Sequence, residues 1–395
     1  MLSDVFFPRV NGVSTSIETY RADLQALGHE CALVAPKYSP PQFDHLRHTE
    51  SLDTIRIPAW QVPFDPEDRL LKWRSLMAWA NTLKPADVDV VHIQTPFTAH
   101  YAGVRIARRL GVPVVATYHT YFEHYLHHYV PALPISWTRF VARRFTLSQC
   151  HQVQAVVSPS TQMAEALCAY GVRTPIEVLP TGLPPSCFVP GNGARFRAAK
   201  GITAQRPVAL FVGRVAHEKN IDFLVKMLVQ LKARIPDILL VIAGEGPAEA
   251  HIRALVSTLN LQGNVLFVGY MKRNSELLDC YRAADVFVFA SRTETQGLVL
   301  LEALAQGTPV ISTAVMGTAA VLAGVKGAVV VPEAVIPFAE AVASLLRDSE
   351  RRLDLASFAL EDAARWSSRN FAERLVRLYE SLVEADLAPV EAFKA

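Results

Sequence analysis

The chain has 395 residues, 51% of them hydrophobic and 19% charged, and its formal net charge is +2. This length suits two domains of ordinary size, each able to bury its own core. The balanced charge excludes the strongly basic footprint of a nucleic-acid-binding protein. The five cysteines are scattered without a CxxC pair, which indicates reduced thiols in a reducing compartment.

The apolar runs of the chain bear on whether it spans or crosses a membrane. No apolar run reaches the ~18 residues that a membrane-spanning helix needs, and no basic-then-apolar leader is present. We therefore expect a cytoplasmic protein. The chain runs almost at once into Phe6-Phe7-Pro8, so only the last residues of a usual opening strand are present, and we expect a truncated or misassigned start.

Helix and strand patterns alternate along the first half, which is typical of α/β architecture with parallel sheets. Apolar β-branched runs predict strands at Cys31–Ala35, Val88–Gln94, Val114–His119 and Ala155–Ser158. Amphipathic runs predict helices at Thr15–Leu27, Ala99–Leu110 and Thr161–Tyr170. The Pro- and Asp-rich segment 37–70 predicts a long loop with short strands.

The second half repeats this architecture after a Pro-rich break at 179–193, which fits a linker between domains. The predicted strands are Val208–Val212, Leu239–Ala243, Val265–Val268, Val286–Ala290, Val310–Thr313 and Ala328–Val331. Residues 338–384 predict helices. An apolar stripe there comprises Trp366, Phe371, Leu375, Leu378 and Leu382.

Two glutamates eight positions apart, Glu294 and Glu302, follow the predicted strand Val286–Ala290. Glu294 falls in the loop that leaves the strand and Glu302 in the next helix, near the sheet edge where ligands bind. Carboxylates accept hydrogen bonds from hydroxyls, and the N–H groups of Gly297 and Leu298 at the helix start favour anionic oxygens. A sugar nucleotide carries both groups. Spacing alone favours a simpler interpretation, one capping acid and one solvated acid.

Two cations, Arg214 and Lys219, lie on the loop after the predicted strand Val208–Val212 and before a helix that begins near Asn220. Arginine grips two oxygens at once, whereas lysine acts as a point charge. The position between strand and helix predicts a diphosphate site. The alternative is an exposed basic loop.

The first half offers two further candidates. Gly12 lies in the segment 11–14 before a predicted helix, where a glycine lets the backbone approach an anion or a sugar; the alternative is an ordinary turn. His119 ends a predicted strand, where it could face a cleft. The alternative is a histidine without a function, whose ring nitrogens are hydrogen-bonded within the protein. Three histidines follow it, His124, His127 and His128. They lack the further ligand and base of a zinc motif, so we expect no metal.

Residues 134–145 predict a basic amphipathic helix in which Trp137, Val141 and Phe145 share one face. Such a helix can lie on an anionic membrane surface. The alternative is a helix packed on the core, with its arginines solvated. No GxGxxG follows a strand and no GxxxxGK[ST] occurs, which disfavours a nicotinamide-dinucleotide enzyme and excludes a P-loop hydrolase.

Five ordered motifs resemble glycosyltransferase family 4, a family of retaining enzymes, over almost the whole chain. They are Val-Asn-Gly-Val (10–13), Tyr-His-Thr (118–120), Gly-Arg-x-x-x-Glu-Lys-Asn (213–220), Gly-Glu-Gly-Pro (244–247) and Glu-x7-Glu (294–302). The resemblance implies the GT-B fold: two Rossmann-like parallel-sheet domains facing a cleft, with a C-terminal helix returning to the N-terminal domain. We expect an acceptor-binding domain at 1–184, a nucleotide-sugar-binding domain at 185–365 and the crossover helix at 366–395.

The resemblance also implies roles for single residues. Arg214 and Lys219 would bind the donor diphosphate, and the backbone of Gly12 the diphosphate or sugar. Glu294 would contact sugar hydroxyls and Glu302 the ribose. The amides of Gly297, Leu298 and Val299 would reach the sugar and phosphate, and His119 would position the sugar. We expect His119, Arg214, Lys219 and Glu294 to form the catalytic set.

The expected activity is transfer of a hexose from a nucleoside-diphosphate sugar to an acceptor hydroxyl, with retention. Thr295-Gln296, where many members have Gly-Phe, is similar to a subset that includes glycolipid synthases. We therefore expect the lipid or carbohydrate acceptor to be a lipid or glycolipid precursor. We expect no cofactor besides the donor, no nucleic-acid partner, and peripheral contact with the inner face of the membrane through 135–147. The alternatives are a soluble or polysaccharide acceptor, a sugar-nucleotide epimerase and a non-catalytic sugar-nucleotide-binding protein.

Overall fold

The computed structural model describes residues 1–9, 11–38, 54–62, 65–119, 135–272 and 275–387. The chain divides into two compact units. Unit 1 comprises Met1–Thr181 together with the C-terminal segment from Arg369, and unit 2 comprises Gly182–Ser368. Each unit has its own buried core.

Unit 1 contains helices and strands in alternation. In chain order these are α1 (Gly12–Ala26), β1 (Leu33–Pro36), β2 (Thr54–Ile57), β3 (Ala59–Val62), β4 (Asp65–Leu71), α2 (Trp73–Ala80), β5 (Val91–Ile93), α3 (Thr98–Leu110), β6 (Val114–Thr117), α4 (Ile135–Cys150), β7 (Ala155–Ser158), α5 (Thr161–Tyr170) and β8 (Ile176–Val178). Strands β5 to β8 form a parallel sheet in chain order, β1 and β2 pair in parallel, and β3 and β4 form an antiparallel hairpin.

The first residues of the chain join the two parallel parts of unit 1. Leu2 forms parallel bridges with Val34 of β1 and with Ile93 of β5, and its amide donates to the carbonyl of His92 at 2.9 Å. The short segment therefore stands where a strand between β1 and β5 would run. Only 4% of Leu2 is exposed, which explains why so short a segment stays attached to the sheet.

Unit 2 begins with α6 (Gly193–Ala199) and continues as a second α/β array. The elements are β9 (Val208–Val212), α7 (Ile221–Arg234), β10 (Leu239–Ala243), α8 (Glu249–Thr258), β11 (Val265–Gly269), α9 (Glu276–Ala283), β12 (Val286–Phe289), α10 (Leu298–Ala305), β13 (Val310–Ser312), α11 (Gly317–Leu322), β14 (Ala328–Val330), α12 (Val335–Arg347) and α13 (Ser349–Ala364). Every residue of β9, β10, β12 and β13 is buried, as expected for a parallel sheet covered on both faces.

The strand order in unit 2 is β11-β10-β9-β12-β13-β14, and every pairing is parallel. This is the doubly wound order 3-2-1-4-5-6, in which the direction of winding reverses between the first and fourth strands. The reversal here lies between β9 and β12. Loops that leave these two strands diverge to opposite faces of the sheet and open a crevice between them, which is where such folds bind ligands.

The last described helix, α14 (Ser368–Leu387), packs on unit 1. Ala372 and Leu375 are fully buried in a cluster with Tyr20, Val115 and Val157. The guanidinium of Arg374 donates to the Glu177 carboxylate at 2.7 Å. The predicted stripe is therefore divided: Phe371, Leu375, Leu378 and Leu382 pack on unit 1, whereas Trp366 packs against the core of unit 2.

The predicted elements agree with the observed ones to within three residues at each end, except that α4 continues to Cys150, five residues beyond the predicted end at 145. The segment 37–70 contains short strands as predicted, and β8 is one strand that the sequence did not indicate. In the described part of the chain, no helix combines the length and the apolar character needed to cross a membrane.

Candidate functional site

The two predicted cations of unit 2 lie on the loop that leaves β9. A short 3-10 turn at His217–Lys219 carries Lys219, and Asn220 then takes a left-handed conformation, with φ of 56°, that starts α7. Arg214, earlier on the loop, is half-buried. Both cations therefore lie on the loop between β9 and α7, at the position that the sequence predicted for them.

Lys219 forms an ion pair with Glu294, the first glutamate of the spaced pair. Both side chains are 16% exposed, so each charge keeps a face toward solvent. Glu294 follows β12, which lies beside β9 in the sheet. The structure thus brings together two residues that the sequence assigned separately, and it does so at the reversal of strand order.

The loop after β9 is held by the Gly-Glu-Gly-Pro segment that follows β10. A Cβ at Gly244 would lie 2.0 Å from the carbonyl oxygen of Gly213, and one at Gly246 would lie 2.5 Å from that of Val215. The amide of Val215 donates to the carbonyl of Glu245 at 2.9 Å. Glycine is required at 244 and 246 because the two backbones touch, and this contact fixes the loop that carries Arg214 and Lys219.

The loop carrying Glu294 is held by a different glycine. The amide of Gly317 donates to the carbonyl of Glu294 at 3.0 Å, and a Cβ at Gly317 would lie 2.1 Å from the carbonyl oxygen of Thr295. Gly297, with φ of 91°, ends the loop and starts α10 without a side-chain cap. The first N–H groups of α10, those of Leu298 and Val299, lie at the positive end of the helix dipole.

Glu302 lies one turn into α10, where it is only 3% exposed. The Tyr281 hydroxyl donates to its Oε2 at 2.8 Å. A carboxylate so far from water needs such a donor, because an unpaired buried charge is costly. Tyr281 is a site residue that the sequence did not indicate, since it lies on α9, outside every motif.

A second polar cluster joins the start of α7 to the end of β12. Arg292 forms an ion pair with Glu333, and the Asn220 side chain donates to the carbonyl of Ala290 at 3.1 Å and to Glu333 at 3.2 Å. The hydrogen bond from Arg292 holds the pKa of the Glu333 carboxyl below its usual value. Sequence motifs missed Arg292 and Glu333, because neither has a characteristic spacing.

In unit 1, His119 lies just beyond the end of β6, and its Nε2 contacts Oε1 of Gln94 at 2.9 Å. Desolvation lowers the pKa of His119 to about 4, so the ring is neutral at pH 7. Both residues line a cavity of about 40 Å³, together with His100 and Gln149. Gln94 and His100 are neighbours that the sequence did not single out.

Gly12 is the first residue of α1. The Asn11 side chain caps this helix by accepting from the amide of Ser14 at 2.8 Å, which explains why the helix starts earlier than predicted. A Cβ at Gly12 would meet nothing within 4 Å, so the backbone there is open to approach. Val10, Thr120 and the histidines at 124, 127 and 128 lie outside the described residues.

The predicted basic amphipathic helix is α4. Trp137 is 61% exposed and Phe140 62% exposed. Arg143, in contrast to these exposed side chains, stacks on the ring of Tyr170 within unit 1, with its guanidinium carbon 5.0 Å from the ring centroid. The helix therefore presents large apolar side chains to solvent on the surface of unit 1.

Comparison with known families assigns both halves of the chain. Residues 10–186 match the family model described as Glycosyltransferase Family 4, and residues 193–362 match the one described as Glycosyl transferases group 1. An alpha-monoglucosyldiacylglycerol synthase of Streptococcus pneumoniae is 34% identical over 320 residues, which are 79% of this chain and 70% of that protein. A GDP-mannose-dependent alpha-mannosyltransferase of Mycobacterium tuberculosis is 29% identical over 325 residues, covering 79% and 78%.

The fold is also that of solved structures. HepE of Anabaena, in complex with UDP, superposes with a TM-score of 0.74 at 16% identity, covering 96% of this chain and 99% of that one. This likeness identifies the fold as GT-B, and it confirms the α/β class predicted from the alternating pattern.

Proposed function

This chain belongs to glycosyltransferase family 4, and from that premise we propose that it moves a hexose from a nucleoside-diphosphate sugar to a hydroxyl of a lipid or glycolipid precursor, with the α-configuration retained. The observation that supports this most directly is the contact between Lys219 and Glu294 at the reversal of strand order in unit 2. In this proposal Lys219 binds phosphate oxygens, and Glu294 beside it accepts hydrogen bonds from sugar hydroxyls.

We assign the donor to unit 2 and the acceptor to unit 1. Negative charge grows on the departing diphosphate as the sugar–phosphate bond breaks. Arg214, Lys219 and the N–H groups of Gly297, Leu298 and Val299 are preorganised donors for that charge. Such donors act without rearrangement during the reaction, and the loss of one typically raises the barrier by ~3 kcal/mol.

The two glutamates would hold opposite ends of the donor. Glu294, with its solvent-facing side, suits the hydroxyls of the sugar. Glu302 suits the ribose, because its buried carboxylate is held in one orientation by Tyr281. A carboxylate fixed in this way accepts two ribose hydroxyls without losing conformational freedom on binding.

His119 and Gly12 complete the proposed set in unit 1. A neutral imidazole that is hydrogen-bonded to Gln94 is oriented by that contact and has its second ring nitrogen left for the sugar. Gly12 supplies open backbone at the start of a long helix, where anionic oxygens are favoured. We propose that His119 positions the sugar and that the backbone of Gly12 contacts the diphosphate or sugar.

The lipid acceptor is supported by the relative from Streptococcus pneumoniae, whose name gives alpha-monoglucosyldiacylglycerol as the product. It is also supported by α4, where Trp137 and Phe140 are exposed beside Arg139. Aromatic side chains bordered by arginines suit the interface of an anionic bilayer. We propose that residues 135–147 make peripheral contact with the inner face of the membrane.

Acceptor-dependent release of nucleoside diphosphate tests the reaction. UDP-, GDP- and ADP-sugars should be offered with diacylglycerol, with a glycosyl-diacylglycerol or with soluble sugars. Release only with lipid supports the proposal, and release only with soluble sugars reassigns the acceptor. Release that needs no acceptor, or a donor that binds without turnover, contradicts sugar transfer.

Lys219→Ala should lower kcat roughly 10²-fold, because a cation that stabilises the leaving group is lost. Lys226→Ala, which removes an exposed lysine from α7, is the matched control and should leave kcat unchanged. Melting temperatures of both variants complete the test. A fall in the melting temperature of Lys219→Ala that accounts for its loss of activity would assign this lysine a structural role.

Membrane contact is tested by sedimentation with vesicles of anionic and neutral phospholipid. Trp137→Ser/Phe140→Ser should weaken binding to anionic vesicles while leaving transfer to a detergent-solubilised acceptor intact. The exposed pair Leu353→Ser/Leu360→Ser on α13 is the control. If both double variants bound anionic vesicles equally well, α4 would not be the element that contacts the membrane.

A further inference from the structure

Two histidines and an aspartate converge on one side of unit 2. They are His217, Asp222 and His251, and one ligand atom of each lies within 4.8 Å of the others. Nε2 of His251 contacts Oδ2 of Asp222 at 2.6 Å, and the ring centroids of His217 and His251 are 5.5 Å apart. Neither the family motifs nor the proposed reaction uses this cluster.

We propose that His217, Asp222 and His251 form a three-ligand site for a divalent transition-metal ion of the Zn²⁺ type. Imidazole nitrogen and carboxylate oxygen bind Zn²⁺ at about 2.0–2.2 Å, so the ligand atoms around a tetrahedral ion stand roughly 3.3 Å apart. Small rotations of the side chains bring the ligand atoms to that separation, and both have room for this because the His251 side chain is 52% exposed and that of Asp222 29%.

The donor set selects the kind of ion. Two nitrogens and one carboxylate suit Zn²⁺, Ni²⁺ or Cu²⁺, whereas Mg²⁺ and Ca²⁺ require oxygen ligands. Three protein ligands leave a coordination position for water, and the exposure of the cluster gives water direct access. The site therefore takes up and releases its ion reversibly, unlike a closed structural zinc site.

The three ligands come from three separate elements. His217 belongs to the 3-10 turn after β9, Asp222 to the first turn of α7 and His251 to the first two turns of α8. A bound ion therefore ties the loop after β9 to two helices. His217 precedes Lys219 by two residues, so the ion restrains the loop that carries the proposed diphosphate-binding cations. This consequence for the donor, unlike the metal site itself, rests on the proposed function.

The test is direct titration of the full-length chain, with its purification tag removed, with ZnCl₂ in competition with a chromophoric zinc indicator. One equivalent should bind, and excess MgCl₂ should not displace it. His251→Gln and His217→Gln should each weaken binding at least about tenfold, since even loss of an outer contact to a ligand costs 10–100-fold. Both side chains lie at the surface, so circular dichroism should show both variants folded.

Two controls separate this cluster from other histidines. His29→Gln changes an exposed histidine of unit 1 and should bind Zn²⁺ like the wild type. Amide hydrogen exchange supplies a second measurement: Zn²⁺ should slow exchange at 213–222 and 249–253 in the wild type and not in His251→Gln.

Unchanged affinity in His217→Gln and His251→Gln would overturn the proposal. The proposal would also be overturned if the double variant His124→Gln/His128→Gln lost Zn²⁺ binding while His217→Gln and His251→Gln retained it. Failure of sugar transfer would leave this result untouched, because the measurements detect the ion and the loop without using activity.

Discussion

Lys219 and Glu294 are 75 residues apart in the chain and form an ion pair in the fold. The sequence identified each of them from its own loop, since a basic residue after one strand and an acid after another are local features. Their contact depends on β9 lying beside β12, which no local pattern states. The hydrogen bond between Tyr281 and Glu302 also joins two separate elements, although here the sequence indicated only the glutamate.

Histidines at the centre of unit 1 are uncharged because they are buried. Desolvation lowers the pKa of His100 and of His119 to about 4, and that of His92 well below its usual value. In the unfolded chain these rings take up a proton near pH 6.5. Between pH 6.5 and 4 the unfolded state therefore binds more protons, so stability falls as pH falls through this range.

His100→Leu should flatten this dependence. His100 is 2% exposed, and its Nε2 has no hydrogen-bond partner among the described residues, so an apolar residue fits its surroundings. Between pH 7.5 and pH 5 the free energy of unfolding of the wild type should fall by about 2 kcal/mol because of this ring. The variant should not show this loss. Urea unfolding at pH 7.5 and pH 5 measures the difference. His29→Leu, at an exposed position, should retain the wild-type slope, and an equal slope in His100→Leu would contradict the assignment.

At the scale of elements, the site is made by loops that touch through glycine. The loop after β10 touches the loop after β9 at Gly244 and Gly246, and the loop after β13 touches the Glu294 loop at Gly317. The sequence showed Gly244 and Gly246 as parts of one motif. It did not show their packing role, because a Cβ clash is a property of two backbones.

Gly317→Ala should displace the Glu294 loop. The added Cβ would lie 2.1 Å from the carbonyl of Thr295, which is backbone and cannot rotate away. We expect a loss of about 1–3 kcal/mol in the free energy of unfolding and a larger proportional loss of kcat. The control is Gly263→Ala, where a Cβ meets nothing within 4 Å. Wild-type activity in Gly317→Ala would show that this contact does not position Glu294.

Element bounds followed the sequence wherever an apolar run was long. The buried strands β9, β10 and β7 were predicted at their observed bounds, because parallel strands buried on both faces are continuous β-branched runs. Strand β8 was not predicted, because Ile176-Glu177-Val178 is only three residues long. It forms because β7 offers an edge for it to pair with.

At the scale of the whole molecule, α14 makes the end of the chain part of unit 1. Its buried face includes Ala372 and Leu375, and the Tyr379 hydroxyl contacts Nδ1 of His92 at 2.5 Å. A periodic apolar stripe predicted the helix. The resemblance to the family predicted that this helix packs on the N-terminal domain. The stripe alone does not indicate which part of the chain covers it.

Leu375→Ala should destabilise unit 1 selectively, by about 2–5 kcal/mol, because it leaves a cavity in a fully buried cluster. Amide hydrogen exchange should accelerate in β6 and β7, which pack on this helix, and stay unchanged in β9 and β10. Leu353→Ala, at a position that is 72% exposed, controls for the loss of a leucine as such. Uniform acceleration in both units would mean that they unfold together.

The sequence by itself determined the α/β class, most helices and strands, and the motifs that predicted a glycosyltransferase of family 4. The family comparisons confirm that family and that activity. These properties are local: periodicity, turn residues and short motifs are each contained within a few turns of chain. The assignment of single residues to the donor stays a prediction, because it concerns a ligand and not the chain alone.

Only the tertiary structure decided which of these local pieces meet. Sheet order joined Lys219 to Glu294, helix packing gave the buried Glu302 its tyrosine, and three separate elements gathered His217, Asp222 and His251. The physical reason is that such contacts follow from the order in which strands pair. Burial then determines which histidines have a lowered pKa and are therefore neutral.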